Sequence, residues 1–195
     1  MVSNPLQPFP YRLILGSGSP RRKELLEKLD LPYEIRVLPI EEHINLNLKP
    51  WEVAEDLAKR KAEIHELAPD ELLLTADTVV YYNGHFLEKP ADRAEAIASL
   101  TQLQGHTHDV FTGVALTTAD KQRVFHGHTR VTFRALSQAE IEFYIDRDAP
   151  FDKAGGYGAQ DWLGLTGVSK MEGTFYNVMG LPIDLVYQEL LTFKV

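Results

Sequence analysis

The chain has 195 residues, 44% of them apolar and 25% charged, which suits one domain of ordinary globular composition and excludes a disordered or fibrous chain. Its formal net charge of −8 repels a nucleic-acid backbone, so an anionic ligand would need a local basic cluster. The absence of cysteine excludes disulfides, thiolate nucleophiles, zinc fingers and iron–sulfur clusters.

The opening stretch holds Pro5, Pro8 and Pro10 without a basic region, so it does not read as a signal peptide. No apolar run nears the roughly 18 residues that cross a bilayer, and a cytoplasmic protein is expected. Arg12 to Leu15 is a short strand ended by Gly16-Ser17-Gly18-Ser19. A helix follows from Pro20 to about Leu29, with Ser19 suited to the N-cap and Leu25, Leu26 and Leu29 as its apolar stripe. Tyr33 to Leu38 reads as a second strand leading into an acidic loop at Glu41 and Glu42, and Pro50 opens a helix to about Leu67. Leu72 to Tyr82 is the strongest strand, Asn83-Gly84 is a type I′ turn signal, and His85 to Lys89 is the return strand. A helix from Ala91 to Leu103 ends before Gly105.

Val110 to Thr118 and Val124 to Arg134 form a second β pair. Ser137 and Glu140 make a capping box for a helix ending near Asp146. Asp152 to Gly167 is glycine-rich and irregular, Thr174 to Met179 reads as a strand, and Pro182 opens a last helix to about Leu191. Interleaved helices and hairpin-joined strands give an α/β fold with a mixed, twisted sheet and flanking helices. No Ser/Gly/Pro-rich linker divides the chain, so a single domain over 1–195 is expected.

Five features could carry chemistry. In the first loop, Arg21, Arg22 and Lys23 sit in a helix's first turn, the wrong sign for its dipole. A bound phosphate would reverse that cost, with backbone N–H groups, Ser17, Ser19 and two guanidiniums converging on it; the plain alternative is a solvated basic turn. The loop lacks the Gly-Lys-Ser/Thr of a P-loop and the third glycine of a dinucleotide fingerprint. Asp77 lies inside an apolar strand, where a carboxylate needs a partner, a metal or a proton; it is either a metal-binding or general-base group or a strand-end cap. Ideal hairpin register sets Thr78 opposite Lys89 and Asp77 near Pro90.

Lys61 falls on the stripe of Ala54, Leu57, Ala58 and Ile64, where a lysine either snorkels outward, the commoner outcome, or enters a polar pocket. Asp152 to Gln160 embeds Lys153 and an amide among glycines, which suits close approach to a ligand as well as a connecting loop. His106, His108, His126 and His128 could be strand-borne metal ligands. However, Phe125, Val131 and Phe133 mark the apolar face, and His126, His128, Arg130 and Thr132 read as the solvated one.

Jointly these stretches resemble the Maf family of nucleoside triphosphate pyrophosphatases. The matching segments are Ser17-Gly18-Ser19-Pro20-Arg21-Arg22-Lys23-Glu24-Leu25-Leu26, Glu41-Glu42, Lys59 to Ala62, Ala76-Asp77-Thr78, Lys89-Pro90, Gly105 with His108 to Gly113, Asp152 to Gly155 with Tyr157 to Gln160, and Tyr176 to Pro182. The resemblance implies a fold like the inosine-triphosphate pyrophosphatases, with two lobes around a central cleft. It implies hydrolysis of a nucleoside triphosphate at the α-phosphate to the monophosphate and pyrophosphate, with Mg²⁺ or Mn²⁺. The family's proton-accepting aspartate falls on Asp77. Its specificity positions fall on Arg21, Thr78 and Gln160, which here look like the dTTP/UTP branch. Ser17, Ser19, Arg22, Lys61, Lys89 and Lys153 would bind phosphate, and Asp77 with Glu42 would hold the metal. Two residues depart from the pattern: Asp161 stands where the family usually has glycine, and Gly18 is smaller than usual.

The partner implied is a small nucleotide, with neither nucleic acid nor membrane and with a homodimer as a candidate assembly. The rival reading is a nucleotide-binding regulator of cell division that does not hydrolyse.

Overall fold

Leu13, Ile14 and Leu15, and likewise Leu72, Leu73 and Leu74, are almost wholly shielded from solvent, as strands covered on both faces must be. In the computed structural model, which describes residues 4–41 and 43–194, these runs are two neighbouring strands of one seven-stranded sheet. The strands are β1 (Arg12–Leu15), β2 (Tyr33–Ile35), β3 (Glu71–Tyr82), β4 (His85–Leu87), β5 (Thr107–Thr117), β6 (Gln122–Phe133) and β7 (Val168–Glu172). The helices are α1 (Pro20–Glu27), α2 (Pro50–Glu63), α3 (Arg93–Leu103), α4 (Gln138–Asp148), α5 (Trp162–Gly167), α6 (Phe175–Met179) and α7 (Ile183–Thr192). The sheet order is β2-β1-β3-β5-β6-β7, with β4 paired to β3. β1 is parallel to β2 and β3, whereas β3–β4 and β6–β7 are antiparallel, so the sheet is mixed. Among the described residues no helix is long and apolar enough to cross a membrane.

The chain divides into two compact units. The first comprises Met1–Asp77, Thr112–Gly127 and Gly180–Val195; the second comprises Thr78–Phe111 and His128–Met179. β3, β5 and β6 each contribute to both.

In the first unit the parallel pairing needs a helix across the sheet face, and α2 supplies it. Ala58 and Ala62 pack with Ile14, Leu73 and Ala115. Small residues let the helix lie close, and Gly113 takes this furthest: a Cβ there would stand 2.1 Å from the Ala54 carbonyl oxygen. The helix ends at Glu63, earlier than the sequence pattern suggests, and Ile64 is 42% exposed. The buried stripe is therefore Val53, Ala54, Leu57, Ala58 and Ala62, which leaves Lys61 at its edge.

The second unit closes around Leu100, Leu103, Val131, Phe133, Tyr144 and Leu163. Asn83 and Gly84 both have positive φ, as a type I′ turn requires, and the hairpin register pairs Val80 with Leu87. That is the register expected from the sequence, although the return strand stops at Leu87. The Ser137–Glu140 capping box forms.

Thr174 to Met179, expected as a strand, is instead entered by a turn and forms α6. The Asn177 side chain donates to the Val110 carbonyl and to Thr129 Oγ1 at 3.0 Å each, and these buried bonds outweigh local β propensity. The last strand, Val168–Glu172, starts just after the irregular segment Asp152 to Gly167 and has no counterpart among the elements expected from sequence.

Candidate active site

Each candidate residue takes its place from the element that carries it. In the first unit, β1 hands directly to a turn. The Gly16 N–H donates to the Leu74 carbonyl at 2.8 Å, and a Cβ at Gly16 would meet the Thr75 methyl at 2.7 Å. Glycine thus lets the loop leave the sheet beside β3. Ser17 is buried, and its Oγ accepts from the Ser19 N–H at 3.3 Å and from Arg22 Nη1 at 3.2 Å. Arg22 Nε donates to the Gly180 carbonyl at 2.8 Å, which braces the guanidinium against the link between α6 and α7. Ser19 takes the N-cap backbone conformation of α1, yet its hydroxyl makes no capping hydrogen bond. The loop is therefore a bonded turn with half-buried Arg21 and Arg22, not the fully solvated basic turn that was the plain alternative.

Asp77 is 7% exposed near the middle of β3. Lys61 reaches it from α2: Nζ donates to Asp77 Oδ1, and the lysine side chain is only 15% exposed. Snorkelling, the commoner fate for a lysine on such a helix, is not what happens. The enclosed carboxylate draws the ammonium inward, because an unpaired charge there would cost several kcal/mol. The register is held by Thr75, whose buried Oγ1 donates to the Ala58 carbonyl of α2 at 2.7 Å.

The remaining candidates lie in the second unit, which begins at Thr78. Thr78 is half-buried and Lys89 exposed. The Gly155 N–H donates to the Glu88 carbonyl at 3.1 Å, and Ser99 Oγ donates to the Gly155 carbonyl at 2.9 Å. Gly155 and Gly156 both have φ of +72°, so glycine is required for the loop to fold back on β4. The Gly155–Glu88 bond ties the turn that follows Lys153 to the residue before Lys89. Lys153 Nζ lies 2.8 Å from Asp152 Oδ1 and 3.6 Å from Asp161 Oδ2, with its side chain 13% exposed. Gln160 is half-buried, and its Oε1 is a buried acceptor with no hydrogen-bond partner among the described residues.

Of the proposed histidines, His128 pairs with Asp109 at 2.7 Å and His126 with Glu55 at 2.7 Å. His108 lies in the core of the second unit, 2.7 Å from the Tyr157 hydroxyl, and burial pushes its pKa down to about 4. Tyr144 is the residue that sequence reasoning missed. Its hydroxyl donates to Asp161 Oδ2 at 2.9 Å and accepts the Gly158 N–H at 3.1 Å. The available signal was a tyrosine on the apolar stripe of Ile141 and Ile145, whose hydroxyl had to find a buried partner.

A family model described as Maf-like protein matches residues 12–193. The chain belongs to the Maf-like family. It is 45% identical over 183 residues to a dTTP/UTP pyrophosphatase of Bacteroides thetaiotaomicron, across 92% of this chain and 95% of that protein. It is 46% identical over 188 residues to a dTTP/UTP pyrophosphatase of Porphyromonas gingivalis, across 94% of each. A third of that name, from Phocaeicola vulgatus, is 47% identical over 183 residues, 92% of this chain and 95% of that protein. A solved nucleoside-triphosphatase / dITP/XTP pyrophosphatase of Mycobacterium abscessus overlaps only loosely, with a TM-score of 0.40 and 15% identity over 64% of this chain and 75% of that one.

Among the described residues of this Maf-like chain, no group of three or more His, Asp or Glu side chains could form a metal cage. Glu42, expected as a metal ligand, lies outside the described residues. Asp77 offers one carboxylate, already facing Lys61. Mg²⁺ is commonly bound by one or two carboxylates together with substrate phosphates, so this donor set fits a cation that arrives with a nucleotide.

Proposed function

We propose that the chain hydrolyses nucleoside triphosphates, dTTP and UTP foremost, to the monophosphate and pyrophosphate. The observation that carries this reading is the Lys61–Asp77 pair: an enclosed carboxylate held in one orientation by an ammonium from the neighbouring helix. Such a group can orient a water molecule and take its proton. The water oxygen attacks the α-phosphorus, the bond from that phosphorus to the bridging oxygen breaks, and pyrophosphate leaves. Ser17, Ser19 and Arg22 would hold phosphate oxygens at the first turn of α1, with Lys61, Lys89 and Lys153 adding positive charge against the charge developing on the leaving group. Asp77, with Glu42, would hold a divalent cation such as Mg²⁺ or Mn²⁺, which when bound lowers the pKa of its water and shields the phosphate charge.

Arg21, Thr78 and Gln160 would choose the base. Support comes from the Gln160 Oε1 that lacks a donor. The imide N–H of uracil or thymine is a donor, and a buried acceptor left without one favours the ligand that supplies it. We take residues 1–195 as one such domain, acting on a small nucleotide in the cytoplasm.

The test is a panel of nucleoside triphosphates with Mg²⁺ or Mn²⁺, assayed for pyrophosphate and for orthophosphate. Pyrophosphate from dTTP and UTP is the expected product. Tight binding without turnover would overturn the reading in favour of a non-hydrolysing regulator. Changing Arg21, Thr78 and Gln160 together should shift the nucleotide preference more than it lowers turnover of the best substrate. An unchanged preference would remove them from base selection.

A further inference from the structure

Asp161 has the position of a helix cap without the task. It is the N-cap residue of α5, where aspartate usually accepts an N–H of its own helix, yet its side chain makes no such bond. The carboxylate turns instead to the loop before it. Oδ2 accepts the Tyr144 hydroxyl at 2.9 Å and lies 3.6 Å from Lys153 Nζ. The same hydroxyl accepts the Gly158 N–H at 3.1 Å. One phenol thereby ties two points of the loop to α4, where Tyr144 is fully buried. The fold is tight: a Cβ at Gly158 would stand 2.4 Å from Asp161 Oδ2 and 2.8 Å from Gln160 Nε2. Burial and the Asp161 charge push the Tyr144 phenol pKa up, so it stays protonated and able to donate.

We infer that Asp161 is a positioning residue for base selection: latched by Tyr144, it fixes the Gly158–Asp161 turn that carries Gln160 and orients Lys153. Its consequence for nucleotide choice rests on the proposed pyrophosphatase reading. Placement and charge make separable contributions. Placement depends on an acceptor for Tyr144, which asparagine also offers. The charge works against the ligand, since Asp152 and Asp161 both compete with phosphate for Lys153.

The experiment compares Asp161→Asn, Asp161→Ala, Tyr144→Phe and the Asp161→Ala/Tyr144→Phe double variant. The readouts are kcat and KM for UTP and GTP, thermal unfolding, and trypsin cleavage after Lys153 in the folded protein. Asp161→Ala and Tyr144→Phe should each lower the UTP-over-GTP ratio of kcat/KM by about 3- to 10-fold, the worth of one hydrogen bond. The double variant should lose no more than the worse single, because both break one latch. Asp161→Asn should keep the ratio and lower KM for both nucleotides. Trypsin should cut after Lys153 faster in Asp161→Ala and Tyr144→Phe, with cleavage elsewhere unchanged.

A lower melting temperature with unchanged nucleotide ratio and unchanged Lys153 cleavage would reduce the network to structural support and overturn the inference. If the unaltered protein turns over neither nucleotide, the pyrophosphatase reading fails. The Lys153 cleavage pattern then decides the positioning role on its own, faster cutting upholding it and equal protection overturning it.

Discussion

A carboxylate inside an apolar strand is the kind of anomaly a sequence displays openly, and Asp77 is legible for that reason. Its partner is less so. Lys61 stands out only as a charge on a helical stripe, and the choice between snorkelling and pairing depends on how α2 crosses β3. Truncating Lys61 to alanine leaves Asp77 enclosed without its ammonium. Unfolding in urea should therefore show a loss of about 3 kcal/mol. A loss below about 0.5 kcal/mol, the scale of a surface ion pair, would show that water compensates Asp77 fully. The sequence signals that the Tyr144 hydroxyl needs a buried partner but not that Asp161 is that partner. Their bond joins an apolar helix position to a loop residue, and nothing local in either segment names the other.

Local chemistry explains which elements the sequence announces. β1 and β3 carry continuous apolar runs, and the Asn83-Gly84 turn and the Ser137–Glu140 box are short-range signals that tertiary packing leaves alone. Thr174 to Met179 shows the opposite case. Thr, Phe, Tyr and Val favour a strand, but Thr174 Oγ1 accepts the Asn177 N–H at 3.3 Å, and Asn177 is then held by two buried bonds. The Val-Ser-Lys-Met-Glu of β7 has little β character of its own; its pairing with β6 makes it a strand. The contact between α2 and β5 gives a sharp test. Gly113→Ala drives a methyl into the Ala54 carbonyl, which is backbone and cannot turn aside, so the loss should be about 3 kcal/mol or more. Gly16→Ala meets a side-chain methyl, that of Thr75 at 2.7 Å; the bond from Thr75 Oγ1 to the Ala58 carbonyl resists rotation, but the overlap is smaller than at Gly113 and should cost less. Melting temperatures of the two variants in the reverse order would contradict this account of the packing.

The whole-chain charge of −8 is compatible with an anionic substrate because three cations of the proposed site are placed by local bonds. Arg22 is braced by Ser17 and the Gly180 carbonyl, Lys61 faces Asp77, and Lys153 faces Asp152 and Asp161. They are held in place, with negative charge close to Lys61 and Lys153. Acid should destabilise the fold in two steps. His108 is buried with its pKa lowered from 6.5 to about 4, so the unfolded chain binds the extra proton in that window. Stability from this group is complete above pH 6.5 and declines by up to about 3 kcal/mol as pH falls through the folded value.

Glu71 follows lower on the scale. Arg36, then the Ala68 N–H and Arg12, hold its pKa down at about 2, so its contribution disappears between pH 4.5 and about 2. Unfolding free energies measured from about pH 7 to about pH 4 should slope for the unaltered protein and lie flatter for His108→Phe; equal slopes would remove His108 from the acid response.

Whether Asp77 activates the attacking water is decided by Asp77→Asn, with turnover of UTP and binding of UTP measured on the same preparation. A folded protein that binds UTP near normally and releases pyrophosphate about 100-fold more slowly, or slower still, is expected. Near-normal turnover in that variant would contradict it.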